Sequence, residues 1–189
     1  MKKLVMMVIT ILLAVGVFSG TEVEAASKKQ KALKAYAAYL ENQYADEFAV
    51  ADINGDGVKE LFTSTDMYIY KSGKVVHCLY RVDFRYSFYP SKNYIYYNQQ
   101  YLWDGASGYY RLTKKGTIIQ LAAHRRIGDD DLAADGLCEK ESHTYFIKEK
   151  KVSKKKYDAY VKKLKKGAKE LNLKYHKNTA KNRKKYLKG

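Results

Sequence analysis

The chain has 189 residues, which is enough for one domain with a buried core and too few for two domains of ordinary size. Charged residues make up 30% of the chain, but aromatic residues reach 14%, and this composition excludes a wholly disordered protein. Lysine and arginine (36) outnumber aspartate and glutamate (20), and the net charge of +16 favours anionic partners such as nucleic acid, phosphate polymers or acidic membrane surfaces.

The first residues have the layout of a secretory signal peptide, which we predict to cover 1–26. A positively charged start precedes an almost unbroken apolar run, Leu4–Phe18, and small residues precede a cleavage point near Ala25/Ala26. A retained membrane anchor is the alternative, but the run is shorter than the roughly 20 apolar residues that span a bilayer. We therefore expect a mature protein that is secreted or associated with the cell envelope.

Export bears on the expected partners and on the two cysteines. An extracytoplasmic protein is not expected to meet nucleic acid as its natural partner, despite the basic charge. Cys78 and Cys138 would lie in a compartment where a disulfide persists. Two cysteines allow one pairing, so the alternatives are a disulfide between them and two buried free thiols.

The pattern after the signal peptide predicts one domain, 27–171, of α+β class. Ser27–Ala45 has the periodicity of an amphipathic helix, with Leu33, Tyr36 and Leu40 on one face. Alternating, aromatic-rich segments then predict an antiparallel β-meander. The predicted strands are Phe48–Ile53, Glu60–Ser64, Met67–Tyr70, Lys74–Val82, Phe84–Tyr89, Asn93–Asn98, Tyr109–Thr113, Thr117–Leu121 and His143–Lys148. The N-terminal helix and a basic C-terminal helix flank the meander in this prediction.

The positive charge is concentrated in the C-terminal segment. Residues 148–189 include 18 basic and three acidic side chains, a net charge of +15, whereas 27–147 include 16 basic and 15 acidic ones. Ser153 is the predicted N-cap of a helix whose apolar face runs from Tyr157 to Leu171. After that helix, 172–189 is predicted to be a basic tail.

Lysines on the other face of this helix and in the tail form the predicted site for an anionic surface. They are Lys155, Lys162, Lys163, Lys165, Lys166, Lys169, Lys184 and Lys185. One interpretation is a helix docked by its apolar face, with lysines that are only solvated. The other is a surface for an anionic cell-wall polymer or for the headgroups of a membrane surface. The two are compatible, because a docked helix still presents its lysines outward.

One short loop has the residue pattern of a calcium site. Oxygen-bearing side chains occupy positions 1, 3, 5 and 9 of a stretch that starts at Asp52, and Gly57 at position 6 permits a sharp reversal of the chain. The predicted ligands are Asp52, Asn54, Asp56, Glu60 and the backbone carbonyl of Val58. The alternative is a hairpin turn whose Asp and Asn side chains only accept hydrogen bonds from backbone amides.

This loop is not an EF-hand, because position 12 is Thr63 instead of glutamate and the flanking segments have the pattern of strands. Asp52–Leu61 resembles the D-x-N-x-D-G-x-x-D/E-L loop of FG-GAP and VCBS-type β-repeats, and small secreted proteins of Gram-positive bacteria that carry one such loop after a short helix. The resemblance implies a β-hairpin turn that holds calcium. A single loop does not predict a propeller of repeated blades.

Aromatic residues crowd the middle of the predicted sheet. They are Tyr86, Tyr89, Tyr94, Tyr96, Tyr97, Tyr101, Trp103, Tyr109 and Tyr110. They are compatible with a tyrosine-lined core and also with an exposed row that stacks on the sugar rings of a glycan. The four histidines are isolated in sequence, so no zinc site is predicted, and 129–131 is expected to be a solvated acidic loop. No nucleophile elbow or phosphate-binding loop marks a catalytic residue.

The sequence therefore favours a secreted, non-catalytic calcium-binding protein that associates with the anionic cell envelope through its basic C-terminal segment. The alternative is a secreted enzyme or enzyme inhibitor that acts on polysaccharide or protein through an aromatic sheet face.

Overall fold

The computed structural model describes residues 27–80, 85–100, 104–128 and 141–188. The predicted signal peptide, Cys138 and the acidic stretch 129–131 lie outside these ranges. The elements in chain order are α1 (27–41), β1 (Glu47–Ala51), β2 (Glu60–Thr63), β3 (Asp66–Lys71), β4 (Lys74–Tyr80), β5 (Arg85–Tyr89), a 3-10 turn (Pro90–Lys92), β6 (Tyr94–Gln100), β7 (Gly105–Leu112), β8 (Ile118–Gly128), β9 (Glu141–Ile147), β10 (Lys150–Val152), α2 (Lys154–Lys165), β11 (His176–Lys177) and α3 (Ala180–Tyr186). No helix in these ranges is long and apolar enough to cross a membrane.

The strands form two antiparallel sheets. The first sheet has the order β11-β1-β2-β3-β4 and the second has the order β10-β9-β8-β7-β6-β5. Strands that are neighbours in sequence are neighbours in each sheet, except β11, which returns from the C-terminal segment to pair with β1. The predicted α+β class and antiparallel meander are confirmed, with the meander divided between two sheets.

Three clusters of buried side chains show how the layers stack. The α1 cluster contains Ala32, Tyr36, Leu40, Phe48, Val58, Leu61 and Leu187; the central cluster contains Ala49, Ile53, Phe62, Met67, Ile69, Phe88, Ile95 and Leu112; the α2 cluster contains Tyr94, Tyr109, Leu121, Ala122 and Tyr157. Successive residues of a strand point to opposite faces, so Phe48 joins α1 while Ala49 joins the second sheet. The layers therefore run α1, first sheet, second sheet, α2.

Helix α2 is anchored as its sequence pattern predicts. The Ser153 side chain caps its start by accepting a hydrogen bond from the Lys156 amide, and Tyr157 is buried against the second sheet. The helix ends at Lys165, so Leu171, predicted on the same helical face, lies beyond its end. There the Leu171 amide donates to the Phe88 carbonyl at 2.8 Å, and its side chain packs on the central cluster.

The segment 172–189, predicted to be a tail, is part of the folded body as far as Lys188, where the described residues end. His176 pairs with Phe48 of β1, and the Asn178 side chain donates to the carbonyl of Leu40 near the end of α1 at 2.9 Å. Leu187 is only 3% exposed and belongs to the α1 cluster. Only a few apolar and amide side chains attach the segment to the body, and they lie among many lysines. The composition of the segment is therefore dominated by lysine, and it predicted a tail.

Several predicted boundaries differ from the observed ones for identifiable reasons. Helix α1 stops at residue 41 instead of Ala45, because the Asn42 amide and side chain bond back to the Tyr39 and Ala38 carbonyls. Strand β8 continues past Leu121 to Gly128. Its polar C-terminal half remains a strand because β7 pairs with one of its edges and β9 with the other. Strands β10 and β11 were not predicted, and both are short.

Candidate functional site

The predicted calcium loop joins β1 to β2, beneath the start of α1. Ile53 at its beginning and Leu61 just after it are fully buried and fix both ends of the loop in the core. Val58, within the loop, is 5% exposed and packs into the α1 cluster. The loop is thus held between the first sheet and α1, and its shape is set by the core on both sides.

Backbone amides of the loop bond to its own polar side chains. The two carboxylate oxygens of Asp52 accept from the Gly55 amide at 2.8 Å and from the Gly57 amide at 2.9 Å. Asn54 Oδ1 accepts from the Asp56 amide at 2.9 Å, and Asp56 Oδ1 accepts from the Val58 amide at 2.8 Å. These side chains therefore point into the loop. This orientation is expected for a hydrogen-bonded turn, and it is also expected for calcium ligands on a tight loop.

Glu60 is the buried member of the set. It is 3% exposed, and its Oε2 accepts from the Ile53 amide at 2.7 Å. The pKa of the Glu60 carboxyl is raised to about 8, mainly by burial and also by the nearby carboxylates of Asp56 and Asp52, while the hydrogen bond from the Ile53 amide acts in the opposite direction. Lys28 Nζ lies 3.7 Å from Asp56 Oδ2 at the exposed side of the loop. A cation close to these three carboxylates would relieve their mutual repulsion.

The donor chemistry of the loop fits calcium. Calcium takes six to eight oxygen ligands from carboxylates, amide carbonyls and backbone carbonyls, and the loop offers all three kinds. Within the described ranges, no three His, Cys, Asp or Glu side chains form a group that could hold a metal. That finding concerns four side-chain types and leaves out Asn54 and the Val58 carbonyl, so the calcium site stays a prediction.

All eight lysines of the predicted anionic-surface site are exposed, but they do not form one face. Lys155, Lys162, Lys163, Lys165, Lys166 and Lys169 lie on α2 or just beyond it, whereas Lys184 and Lys185 lie on α3. Helix α2 covers the outer face of the second sheet, and the end of α3 joins the α1 cluster on the first sheet. The lysines are therefore divided between opposite outer layers. We call the six on and after α2 the α2 lysine face.

Two of the predicted tyrosines are buried in the core, and the other five that the structure describes are half-buried. Tyr94 and Tyr109 are buried beneath α2, where their rings meet at 5.5 Å, and an exposed row for sugar stacking is absent from that part of the described sheet. On the other face, half-buried Tyr97 and Tyr110 line a cavity of about 200 Å³. Tyr101 and Trp103 lie outside the described residues.

The predicted disulfide is not tested, because Cys138 lies outside the described residues. Cys78 is half-buried on β4, and burial raises the pKa of its thiol to about 12. A thiol with so high a pKa is a poor nucleophile at neutral pH.

The fold brings together two histidines that the sequence left isolated. His124 on β8 and His143 on β9 approach to 3.0 Å between Nε2 and Nδ1, and their rings stack. The two residues are 19 positions apart with no recognised spacing, and only the register of β8 with β9 brings them together. Arg126 lies opposite His143 in that register.

Comparison of the chain with protein-family models, with curated proteins and with solved structures finds no match.

Proposed function

We propose that the protein is a secreted, non-catalytic binding protein that attaches to an anionic polymer of the cell envelope through the α2 lysine face. The observation that carries the proposal is the division of α2 into a buried aromatic face and an exposed lysine face. Tyr157 is buried in the α2 cluster, while the lysines at 155, 162, 163, 165 and 166 are exposed.

The α2 lysine face is suited to a multivalent electrostatic contact. Each lysine near an anionic surface contributes about 1 kcal/mol, so several together give useful affinity. Lys162, Lys165 and Lys166 border a shallow depression with Val161 and Asp158, which could receive a chain running along the helix. Lys154 is paired with Asp158 at 2.6 Å and is left out of the set.

The arrangement of α2 favours a polymer over a lipid bilayer. Helices that lie in a membrane interface bury an apolar face among the lipid chains. The apolar face of α2 is already used, because Val161 and Leu164 pack with Tyr157 in the α2 cluster. Only the charged face is left for a partner, and charge alone suits a soluble or wall-bound polyanion.

The test measures binding to a soluble polyol-phosphate polymer at several NaCl concentrations. Replacing Lys155, Lys162, Lys163, Lys165 and Lys166 by Gln is expected to weaken binding by tenfold or more, and rising salt is expected to weaken binding of the parent protein. Lys184→Gln/Lys185→Gln on α3 is the matched control and should bind like the parent. Unchanged binding of the α2 variant would exclude this surface, and equal binding to anionic lipid vesicles would point to the membrane instead.

We also propose that calcium binds the 52–60 loop and stabilises the domain. Asp52, Asn54, Asp56, the Val58 carbonyl and Glu60 are the proposed ligands. A bound cation would offset the repulsion among the carboxylates and favour the ionised form of the buried glutamate. An affinity of about 0.1–1 mM is expected for a single extracellular site of this kind.

Thermal unfolding in a chelator and in millimolar calcium tests the metal site. Calcium is expected to raise the unfolding midpoint of the parent protein, and Asp56→Asn should lose that rise while keeping the acceptor for the Val58 amide. Asp66→Asn, at the first residue of β3, is the control and should respond like the parent. A parent protein that is indifferent to calcium would leave the loop as a hydrogen-bonded turn only.

A further inference from the structure

We infer that the protein carries a pocket for a phosphate group on the outer face of the second sheet, beside the first turn of α2. The pocket is built from residues other than the α2 lysine face. The inference rests on the proposed function in one respect, which is that the phosphate is taken to be part of a polymer of the cell envelope.

The pocket spans four neighbouring strands and is lined by polar side chains. Its volume is about 220 Å³, and its lining consists of Asn98, Gln99, Gly105, Ala106, Ser107, His124, Arg126 and His143. Asn98, Ser107 and His124 follow one another directly across β6, β7 and β8. Arg126 lies between Gly105 and His143 in the next row of the same face. The sheet thus brings an amide, a hydroxyl, a guanidinium and two imidazoles to one depression.

The positions of the charged groups are defined by close contacts. His124 Nε2 is 3.0 Å from His143 Nδ1, so one ring donates to the other. The His124 ring also stacks on Tyr145, with ring centroids 4.8 Å apart. The Arg126 guanidinium lies over the backbone of Gly105, where a Cβ atom would be 3.6 Å from its Nε. The imidazoles and the guanidinium are therefore held at the same end of the sheet.

Most of the charged groups that act on His124 are positive. Burial lowers the pKa of His124, and His143, Arg126 and Lys154 lower it further. Asp158 acts in the opposite direction and is paired with Lys154 at 2.6 Å, so these two charges largely offset each other. Among the described residues, the phenols of Tyr145 and Tyr157 also contact this ring, and the carboxylate of Asp104, next to Gly105 of the lining, accepts from the Gly128 amide at 3.3 Å.

The positive groups around the pocket favour an anion over a metal cation. Two imidazole nitrogens 3.0 Å apart could in principle share a metal ion. However, no third His, Cys, Asp or Glu joins them within the described ranges, and Arg126 adds positive charge where a cation would sit. An anion gains from the same charges that repel a cation.

Phosphate suits the chemistry of the groups that line the pocket. A guanidinium binds phosphate oxygens through two parallel N–H bonds, and imidazolium, amide and hydroxyl groups donate to the remaining oxygens. Because the anion favours charged imidazole, binding should take up a proton on the histidine pair and strengthen at acidic pH. The pocket adjoins the first turn of α2, since Tyr157 of that turn packs on His124 with ring centroids 6.4 Å apart. A phosphate of a bound polymer could thus occupy the pocket while neighbouring phosphates contact α2.

The experiment follows the histidine ring signals by NMR while inorganic phosphate is added at constant ionic strength. The ring signals of His124 and His143 are expected to shift saturably, with binding several-fold tighter near pH 5.5 than near pH 7.5, because the anion favours protonated imidazole and acid favours protonation. His77 and His176 lie on the first sheet and serve as internal controls that should not shift.

Two arginine variants on the same strand separate a specific site from general charge. Arg126→Gln should weaken phosphate binding by about tenfold or more, since it removes a charge-assisted pair of hydrogen bonds. Arg125→Gln removes the same charge one residue away, on the opposite face of β8, and should bind like the parent. Asn98→Ala gives a second variant with a smaller expected loss. An absence of saturable shifts, equal shifts with chloride, or full binding by Arg126→Gln would overturn the pocket.

Polymer competition identifies the source of the phosphate and separates this inference from the proposed function. A polyol-phosphate polymer that displaces inorganic phosphate from the histidine signals would support a polymer phosphate in the pocket. Phosphate binding without displacement would keep the pocket and overturn its link to the polymer. The five-lysine α2 variant should still bind inorganic phosphate, so a failure of the lysine face would leave the pocket intact.

Discussion

Gly108 of β7 lies beneath two tyrosine rings and leaves no room for a side chain. A Cβ atom at this position would be 2.9 Å from the Tyr97 and Tyr110 rings and 3.0 Å from the Ala122 carbonyl. Because the carbonyl belongs to a paired strand and cannot move away, Gly108→Ala is expected to destabilise the protein by roughly 1–3 kcal/mol. Urea unfolding followed by fluorescence measures the change.

Gly105 on the same strand is the matched control for this prediction. A Cβ atom there would meet its nearest neighbours at 3.5 Å, which is ordinary contact. Gly105→Ala should therefore change the free energy of unfolding by less than about 0.5 kcal/mol. Equal losses in the two variants would mean that alanine on β7 is unfavourable for a reason other than crowding.

The lowered pKa of His124 implies that the stability of the protein depends on pH. Burial and the neighbouring positive groups lower the pKa of His124, so the folded protein binds a proton there less readily than the unfolded chain does. Stability from this residue is full above the ordinary histidine pKa, about 6.5, and is lost as the pH falls through that value. Thermal midpoints measured across this range should fall less in His124→Gln than in the parent. A parallel fall in both proteins would contradict the assignment.

A substitution at Leu187 tests whether the C-terminal segment, including α3, contributes to the stability of the fold. Leu187→Ala would remove a side chain that is 3% exposed and packs in the α1 cluster, and it is expected to cost about 2–3 kcal/mol. A residue in a free tail would cost less than about 0.5 kcal/mol. Urea unfolding distinguishes the two, and the exposed neighbour Lys188→Ala provides the control.

The elements that the sequence predicts well are those with strong local patterns. Ser153 caps α2 as expected, and the strand β2 begins at Glu60, directly after a turn rich in Asp, Asn and Gly. The returning strand β11 has only two residues, His176 and Lys177, so it has no periodicity to detect. Its pairing with β1 depends on a contact across most of the chain, which no local pattern encodes.

For the whole molecule, the layered arrangement decides which functional residues meet. The calcium site could be proposed from the sequence because the predicted oxygen ligands are close together, from Asp52 to Glu60. The proposed phosphate pocket could not, because His143 of β9 comes beside His124 and Arg126 of β8 only through the register of these two strands. The same layering divides the lysines between α2 and α3, although the sequence presented them as one basic segment.

The uneven charge of the molecule predicts that salt should stabilise it. The chain has a net charge of +16, and α2 begins with Lys154 and two further lysines, with no acidic residue in its first turn. Like charges repel each other and oppose the positive end of the helix dipole, and salt screens both effects. Raising NaCl from low concentration to about 0.3 M is therefore expected to raise the thermal midpoint by a few degrees. The five-lysine α2 variant should gain less, since part of the repulsion has been removed. A midpoint that falls with salt would mean that ion pairs such as Arg183 with Glu41 outweigh the repulsion.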